Sequence, residues 1–246
     1  MLSKAQIKYI QSLQHKKNRQ KSSQYIAEGD KIVQELLQAG MPVKAVYATA
    51  DWLEQHHTLL AKLPAVTVTT VDTAILKQLS SLTTPNRAMA LLDMPASTDP
   101  LPAPGTVVMA LEGIQDPGNM GTLIRIADWF GIPQIICSPD CVDVYNPKTI
   151  QATMGSLIRV RIAEYDIKTL LQQTSLPSYA ATLHGKDITG YAVIREGIIL
   201  IGNEGRGLTE EVMALATHRI TIPRIGGAES LNAAVAAGII CGRLLI

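Results

Sequence analysis

The stretch from Ile220 to Ile240 limits the fold more than any other, because strand, glycine turn and helix signals follow one another there without a spacer. Thr221 and Ile222 end a β-branched run, and Pro223, which has no N–H to give a ladder, stops it. Gly226 and Gly227 allow positive φ and a close approach of backbone to a ligand. Ser230 is the expected N-cap of the helix that follows. From Leu231 to Ile240 that helix is apolar on nearly every side, which predicts burial on several faces. A helix opening onto a glycine loop at a strand end suits an anion or an adenosine, although many α/β proteins carry such a loop with no ligand.

At 246 residues the chain is long enough for two modest domains. The net charge of +1 is informative only once it is located: Lys4, Lys8, Lys16, Lys17, Arg19 and Lys21 all precede the first acid, Glu28. Ile7, Ile10 and Leu13 among them predict a short amphipathic helix within residues 4–19. Lys16, Lys17, Arg19 and Lys21 then read as a phosphate-facing surface, and an ordinary solvated charge run accounts for them equally well. With only Tyr9 and Tyr25 nearby, recognition there would rest on phosphate and shape rather than base stacking. Gly29-Asp30 opens a helix with Ile32, Val33, Leu36 and Leu37 on one face, closed by Gly40. Strands over 43–49, 66–71 and 87–92 alternate with helices over 51–60 and 72–79. The four prolines between Pro95 and Gly105 mark a semi-stiff linker. The expected organisation is a small α/β domain over 1–94, a linker over 95–105 and a second domain over 106–246.

The second domain begins with an apolar strand over 106–111 and a turn-rich loop to Asn119. A helix over 120–130 follows, with Leu123, Ile124, Ala127 and Phe130 inward and Gly131 as its stop. Further strands are expected over 134–138, 157–162, 179–183 and 197–201, and helices over 166–173 and from Thr209. The glycine loop Gly202-Asn203-Glu204-Gly205-Arg206-Gly207 after the last of these strands is not a dinucleotide fingerprint, since the spacing is wrong and no βαβ unit follows.

Three segments carry a family resemblance. Asn119, Gly121, Arg125 and Ala127 match the first motif of the SpoU (TrmH) ribose methyltransferases of the SPOUT superfamily. The loop from Gly202 to Leu208 is similar to the second, and Ile222-Pro223, Gly226 and Glu229-Ser230-Leu231-Asn232 resemble the third. Tyr25 to Val33 resembles the signature of a small, ribosomal-protein-like RNA-binding domain that stands before many of these enzymes. Asn146-Pro147-Lys148 and the residues to Ser156 resemble another family segment, but Gln151 stands where a basic residue is common, so Lys148 is either the RNA contact there in its place or simply an exposed lysine.

The resemblance implies a parallel-sheet domain whose C-terminal segment is threaded through a trefoil knot, which general connection rules would not suggest. It implies S-adenosylmethionine as donor, held by Gly202, Asn203, Gly205, Ile222, Gly226 and Leu231, with the glycines keeping side chains away from adenosine and Ile222 and Leu231 flanking adenine. It implies an RNA ribose 2′-hydroxyl as acceptor and a homodimer in which Arg125 of one subunit lies near the cofactor loop of the other. Family accounts place the arginine matching Arg125 at the hydroxyl and sometimes make it the base. A guanidinium is not deprotonated in proteins, so Arg125 is better read as gripping the adjacent phosphate and stabilising the developing alkoxide. Asn119, Glu204, Ser230 and Asn232 would orient it, with Glu204 as the alternative proton acceptor. The extra domain favours ribosomal over transfer RNA.

Other classes fare less well. An RNA-binding or assembly factor without activity remains a rival, against which Arg125, Glu204 and Asn232 argue. A nicotinamide oxidoreductase lacks its fingerprint and ribose acid. Cys137, Cys141 and Cys241, an odd number without secretory context, suggest a reduced, cytoplasmic setting and no metal site. The longest apolar run is broken by Gly238 and Gly242, and neither a membrane span nor a signal peptide is expected. His15, His56, His57, His184 and His218 have no partner at catalytic spacing. Nothing points to DNA.

Overall fold

The computed structural model describes residues 2–82, 84, 86–96 and 99–246. In chain order its elements are α1 (Lys4–Ser12), α2 (Lys16–Ser22), β1 (Gln24–Glu28), α3 (Asp30–Gln38), β2 (Val43–Ala48), α4 (Ala50–Gln55), α5 (His57–Leu60), β3 (Thr67–Thr70), α6 (Thr73–Leu79) and β4 (Ala88–Asp93). They continue with β5 (Val107–Leu111), α7 (Pro117–Trp129), β6 (Gln134–Cys137), α8 (Pro147–Thr153), β7 (Arg161–Glu164), α9 (Ile167–Gln173), β8 (Ser178–Asp187), β9 (Gly197–Ile201), α10 (Glu210–Leu215), β10 (His218–Thr221) and α11 (Ala233–Leu245). Two compact units result, one of residues 1–96 with 143–158, the other of 97–142 with 159–246. Ser97 and Thr98 of the proline-rich stretch lie outside the described residues. Among the described residues no helix is long and apolar enough to cross a membrane.

The first unit is built on a four-stranded mixed sheet in the order β1-β4-β2-β3. Side chains alternate across a strand, and the burial follows that period. Tyr25, Ala27, Val46, Ala48, Ala90 and Leu92 face a core completed by Ile32, Val33, Leu36, Leu37, Trp52 and Ile150. Ile26, Ala45, Tyr47, Met89 and Leu91 face the opposite one with Ile10, Leu13, Leu76 and Leu79. Ile150 belongs to α8, so a segment remote in sequence supplies part of this unit's core. It is fastened by a tilted ring contact between Tyr25 and Tyr145, 4.8 Å between centroids, and by the Arg19–Asp143 ion pair.

The second unit is a six-stranded, wholly parallel sheet in the order β10-β8-β9-β5-β6-β7. Its central strands β5, β6 and β9 are almost entirely buried, as expected when helices cover both faces. Val108, Ala110, Ile136, Ile198 and Leu200 pack beneath Ile167 and Leu170 of α9 and Val212 and Met213 of α10. The alternate residues Met109, Leu111, Ile135, Ile199 and Ile201 face the other side, where α7 and α11 lie against each other. Gly238 and Gly242 of α11 make that approach close: a Cβ on them would stand 3.8 Å from Ile126 and 3.7 Å from Phe130. Functional loops gather at the carboxyl ends of these strands, where open parallel sheets bind ligands.

Several local expectations are corrected. The helix expected within 4–19 is broken after Ser12 and restarts at Lys16. The helix over 51–60 divides at His56, and the strand expected over 157–162 is a 3₁₀ turn at Ser156–Ile158 followed by β7. Neither Gly226 nor Gly227 takes positive φ. Asn232, not Ser230, caps the last helix, its side chain accepting from the Ala234 and Val235 amides, and Ser230 lies exposed in the loop before it. That helix is not buried on every side either: Val235 and Ile239 are 52% and 41% exposed along one stripe.

Candidate active site

Asn119 owes its position to the start of α7. Asp116 caps that helix, accepting the Asn119 amide at 2.7 Å, and Pro117 fills the first turn, where a missing N–H costs nothing. The Asn119 side chain then uses both ends of its amide. Its Nδ2 donates to Glu204 Oε1 at 2.8 Å, and its Oδ1 accepts from Asn232 Nδ2 at 2.9 Å. Asn232 is held in turn, because its Oδ1 is occupied in capping α11. Three residues from three distant segments thus form one relay, Asn232 to Asn119 to Glu204, at the carboxyl end of the sheet. Glu204 is half-buried, and its second oxygen makes no hydrogen bond among the described residues.

The loop that carries Glu204 folds on its own side chains. Asn203 and Gly207 exchange main-chain hydrogen bonds at 3.1 and 2.9 Å, and the Asn203 carboxamide oxygen accepts from the Gly205 and Arg206 amides. The other end of that carboxamide donates to the Gly113 carbonyl at 2.7 Å. The Asn203 side chain is therefore engaged in shaping the loop, with one Nδ2 hydrogen left over. Gly202 also has a local reason: a Cβ there would stand 2.3 Å from the Gly207 carbonyl carbon and the Leu208 nitrogen. Its glycine is required by the returning strand of its own loop, with or without a ligand.

The segment from Ile222 to Leu231 supplies the other wall. Leu231 is 45% exposed, Ile225 is wholly exposed, Ile222 is half-buried, and the space where side chains would stand at Gly226 and Gly227 is open. Among the described residues, the only main-chain hydrogen bond made between Pro223 and Leu231 is the Ala228 carbonyl accepting from Arg224. Free amides and carbonyls beside uncovered aliphatic side chains are the donor set that suits a neutral purine and its ribose. The residues present fit an adenosine-bearing cofactor.

Arg125 is not drawn into the relay. Six residues beyond Asn119, it points roughly 120° away around the helix axis, is exposed, and makes no hydrogen bond or ion pair among the described residues. It shares its face with Trp129, which is 84% exposed. Ser230 likewise makes no hydrogen bond there. Of the expected RNA contacts, Lys16, Lys17, Lys21 and Lys148 are exposed. Arg19 is not: it is 1% exposed, its guanidinium donates to the Leu13 and Gln14 carbonyls at 2.8 Å each and pairs with Asp143, and it is unavailable to phosphate. Residues missed in the sequence are Glu112, which accepts the Thr209 amide and hydroxyl at 2.8 Å each, and Asp140, which pairs with Arg206 at 2.7 Å. Only the acid immediately before Gly113 hinted at the first; nothing local marked the second.

The model of the SpoU rRNA methylase family matches residues 106–242, which contain the whole relay and both loops. The chain belongs to this family. Residues 4–90 match an MRM3-like substrate-binding domain. Among known proteins, the chain is similar to the 23S rRNA (guanosine(2553)-2′-O)-methyltransferase RlmP of Bacillus subtilis, 26% identical over 95% of this chain and 93% of that one. A solved structure from the TrmH family of RNA methyltransferases of Porphyromonas gingivalis matches with a TM-score of 0.88 and 34% identity, covering 100% of this chain and 98% of the other. An AdoMet-bound rRNA methyltransferase from Sinorhizobium meliloti matches with a TM-score of 0.89 and 28% identity over 99% and 96%. Within this SpoU fold the relay joins the three motif segments that the sequence keeps 85 and 113 residues away from Asn119.

Proposed function

We propose that this SpoU protein methylates a ribose 2′-hydroxyl of ribosomal RNA, with S-adenosylmethionine as donor. The observation that carries the reading is the Asn232–Asn119–Glu204 relay set between a self-supported glycine loop and an uncovered apolar loop. Main-chain groups of Gly202, Gly205, Ile222, Gly226 and Leu231 would hold the donor, with Ile222 and Leu231 against its adenine. When bound, the cofactor supplies a sulfonium-activated methyl group to an oxygen nucleophile.

The chain's own residues have two tasks. Asn119 and Asn232 fix Glu204, whose free carboxylate oxygen is placed to take the proton from the hydroxyl. Arg125, always cationic, grips the neighbouring phosphate and offers charge-assisted hydrogen bonds to the oxygen as negative charge develops. Orientation of this kind contributes about 7 to 11 kcal/mol to barrier lowering when the reacting atoms are well aligned. Because Arg125 lies off the relay in its own chain, we infer a homodimer that brings it to the cofactor loop of a second copy. The exposed stripe of Val235 and Ile239 on α11, with Ile246 just past its end, and Trp129 beside Arg125 on α7 support that surface. The return of the chain from edge strand β10 to pack α11 on α7, which lies against β6, supports the expected threading.

Lys16, Lys17, Lys21 and Lys148 would contact RNA phosphates in the first unit. The RlmP relative, which acts on 23S rRNA, favours ribosomal over transfer RNA, and a guanosine site is the first to test. Ribose methylation mapped by mass spectrometry in both RNA classes from a deletion strain, with in vitro restoration by purified protein, tests the reading. A complete methylation map in the deletion strain, with no donor retained by the protein, leaves only the non-catalytic RNA-binding alternative.

A further inference from the structure

Around Gly113 five residues close a ring that no motif of the sequence describes. Asp140 accepts from the Arg206 guanidinium at 2.7 Å and from the Ser138 hydroxyl at 2.5 Å. Ser138 in turn accepts from the Gly113 amide at 2.9 Å, and the Gly113 carbonyl accepts from the Asn203 side chain at 2.7 Å. Asn203 completes the circuit by receiving the Arg206 amide at 3.1 Å. Glu204 lies in the chain between Asn203 and Arg206, so the ring anchors the loop on either side of the relay carboxylate, one residue before it and two after.

Gly113 makes the ring possible. Its φ is +67°, and a Cβ there would stand 2.8 Å from Arg206 Nη2 and 3.1 Å from Asp140 Oδ2. The guanidinium and carboxylate therefore lie directly over a bare Cα. Gln115 adds a further bond to the Asp140 carbonyl. The ion pair itself is open to water, at 60% and 48% side-chain exposure, so its strength is modest and falls with salt.

We infer that Asp140 is a positioning residue: through Arg206 it holds the loop of Gly202 to Gly207 in the shape in which the loop meets the cofactor and Glu204 reaches Asn119. The inference rests on the methyltransferase reading above. It explains a cation at position 206 without assigning Arg206 to RNA. The ring belongs to loops at the carboxyl end of β5, β6 and β9, and it acts on the relay without touching a reacting atom.

The test compares wild type with Asp140→Asn, Arg206→Asp and the charge-swapped pair Asp140→Arg with Arg206→Asp, by calorimetry with S-adenosylmethionine and by steady-state kinetics at low and high salt. The expected results are about a fivefold loss of cofactor affinity in each single variant, the size of one exposed ion pair within a network, partial recovery in the swapped pair, and a wild-type affinity that declines with salt while Asp140→Asn does not. KM for RNA and the melting temperature stay close to wild type. Wild-type cofactor affinity in Asp140→Asn, or a defect confined to the KM for RNA, overturns the inference. Absence of cofactor binding by the wild type itself would instead remove the reading on which it rests.

Discussion

Asn119 can play its part only as an amide, since one end must donate to a carboxylate while the other accepts from a second amide. Asn119→Asp would set two carboxylates at hydrogen-bond distance, and we expect turnover to drop at least about a hundredfold, as when one preorganised donor is lost. Cofactor affinity should change far less, and single-turnover kinetics beside calorimetry would check the contrast. Arg125→Lys keeps the charge but not the fork, so most turnover should be lost with cofactor affinity retained; near-normal turnover would sink the phosphate-gripping role. The cysteines differ in a measurable way. Hydrogen bonding from Cys137 brings the Cys141 thiol down to about 7 against the opposing effect of burial, while burial pushes Cys241 up to about 12 and Cys137, which donates to Cys141, is raised. Cys141 should be the first labelled by a small alkylating agent at neutral pH, read by peptide mass mapping. Asn119, Glu204 and Asn232 were singled out through the family motifs they resemble, and the fold brings the three into one hydrogen-bonded chain. Arg19 was not, because a charge run carries no mark of burial and its partner Asp143 stands 124 residues away.

At the level of elements, α7 and α11 determine whether the relay holds together, since each presents one of its asparagines. Gly238 and Gly242 lie at their contact, where an added Cβ meets Ile126 and Phe130 at ordinary van der Waals distance and a longer side chain would press on them. Gly242→Ala should therefore leave stability unchanged or raise it by up to about 1 kcal/mol through helix propensity, whereas Gly242→Leu should lower it by about 1 to 3 kcal/mol through overpacking. Urea titration followed by circular dichroism distinguishes the two. Most elements were readable from the periodicity of apolar residues. The exceptions share a cause: β1 is only five residues long, its Tyr25-Ile26-Ala27 run equally compatible with a helix, and α8 lies where the capping asparagine and proline are the sole signals. The last cap was misplaced by two residues because Ser230 and Asn232 are equally good caps by composition, and in the fold it is the Asn232 side chain that accepts the Ala234 and Val235 amides.

For the whole molecule, the first unit depends on residues encoded after the second has begun. Arg19→Met leaves Asp143, whose side chain is 14% exposed, without its cation, and should cost about 3 to 5 kcal/mol, the usual loss on breaking a buried pair from one side. Chemical denaturation of the full chain would measure it, and the double variant with Asp143→Leu should recover much of the loss. A fragment of residues 1–96 lacks Tyr145 and Ile150, so its core is open where α8 packs, and its amide hydrogen exchange in α3 and β1 should be faster than in the full chain. Sedimentation at several concentrations would test the homodimer, with Trp129→Asp expected to weaken it. The route of the chain through Asp143–Ile158 also bears on ancestry. A crossover in the proline-rich stretch would deliver an incoming first unit without its own α8 and force it onto the resident one. Lineages of such enzymes can trade that half only if a short downstream piece is inherited with it.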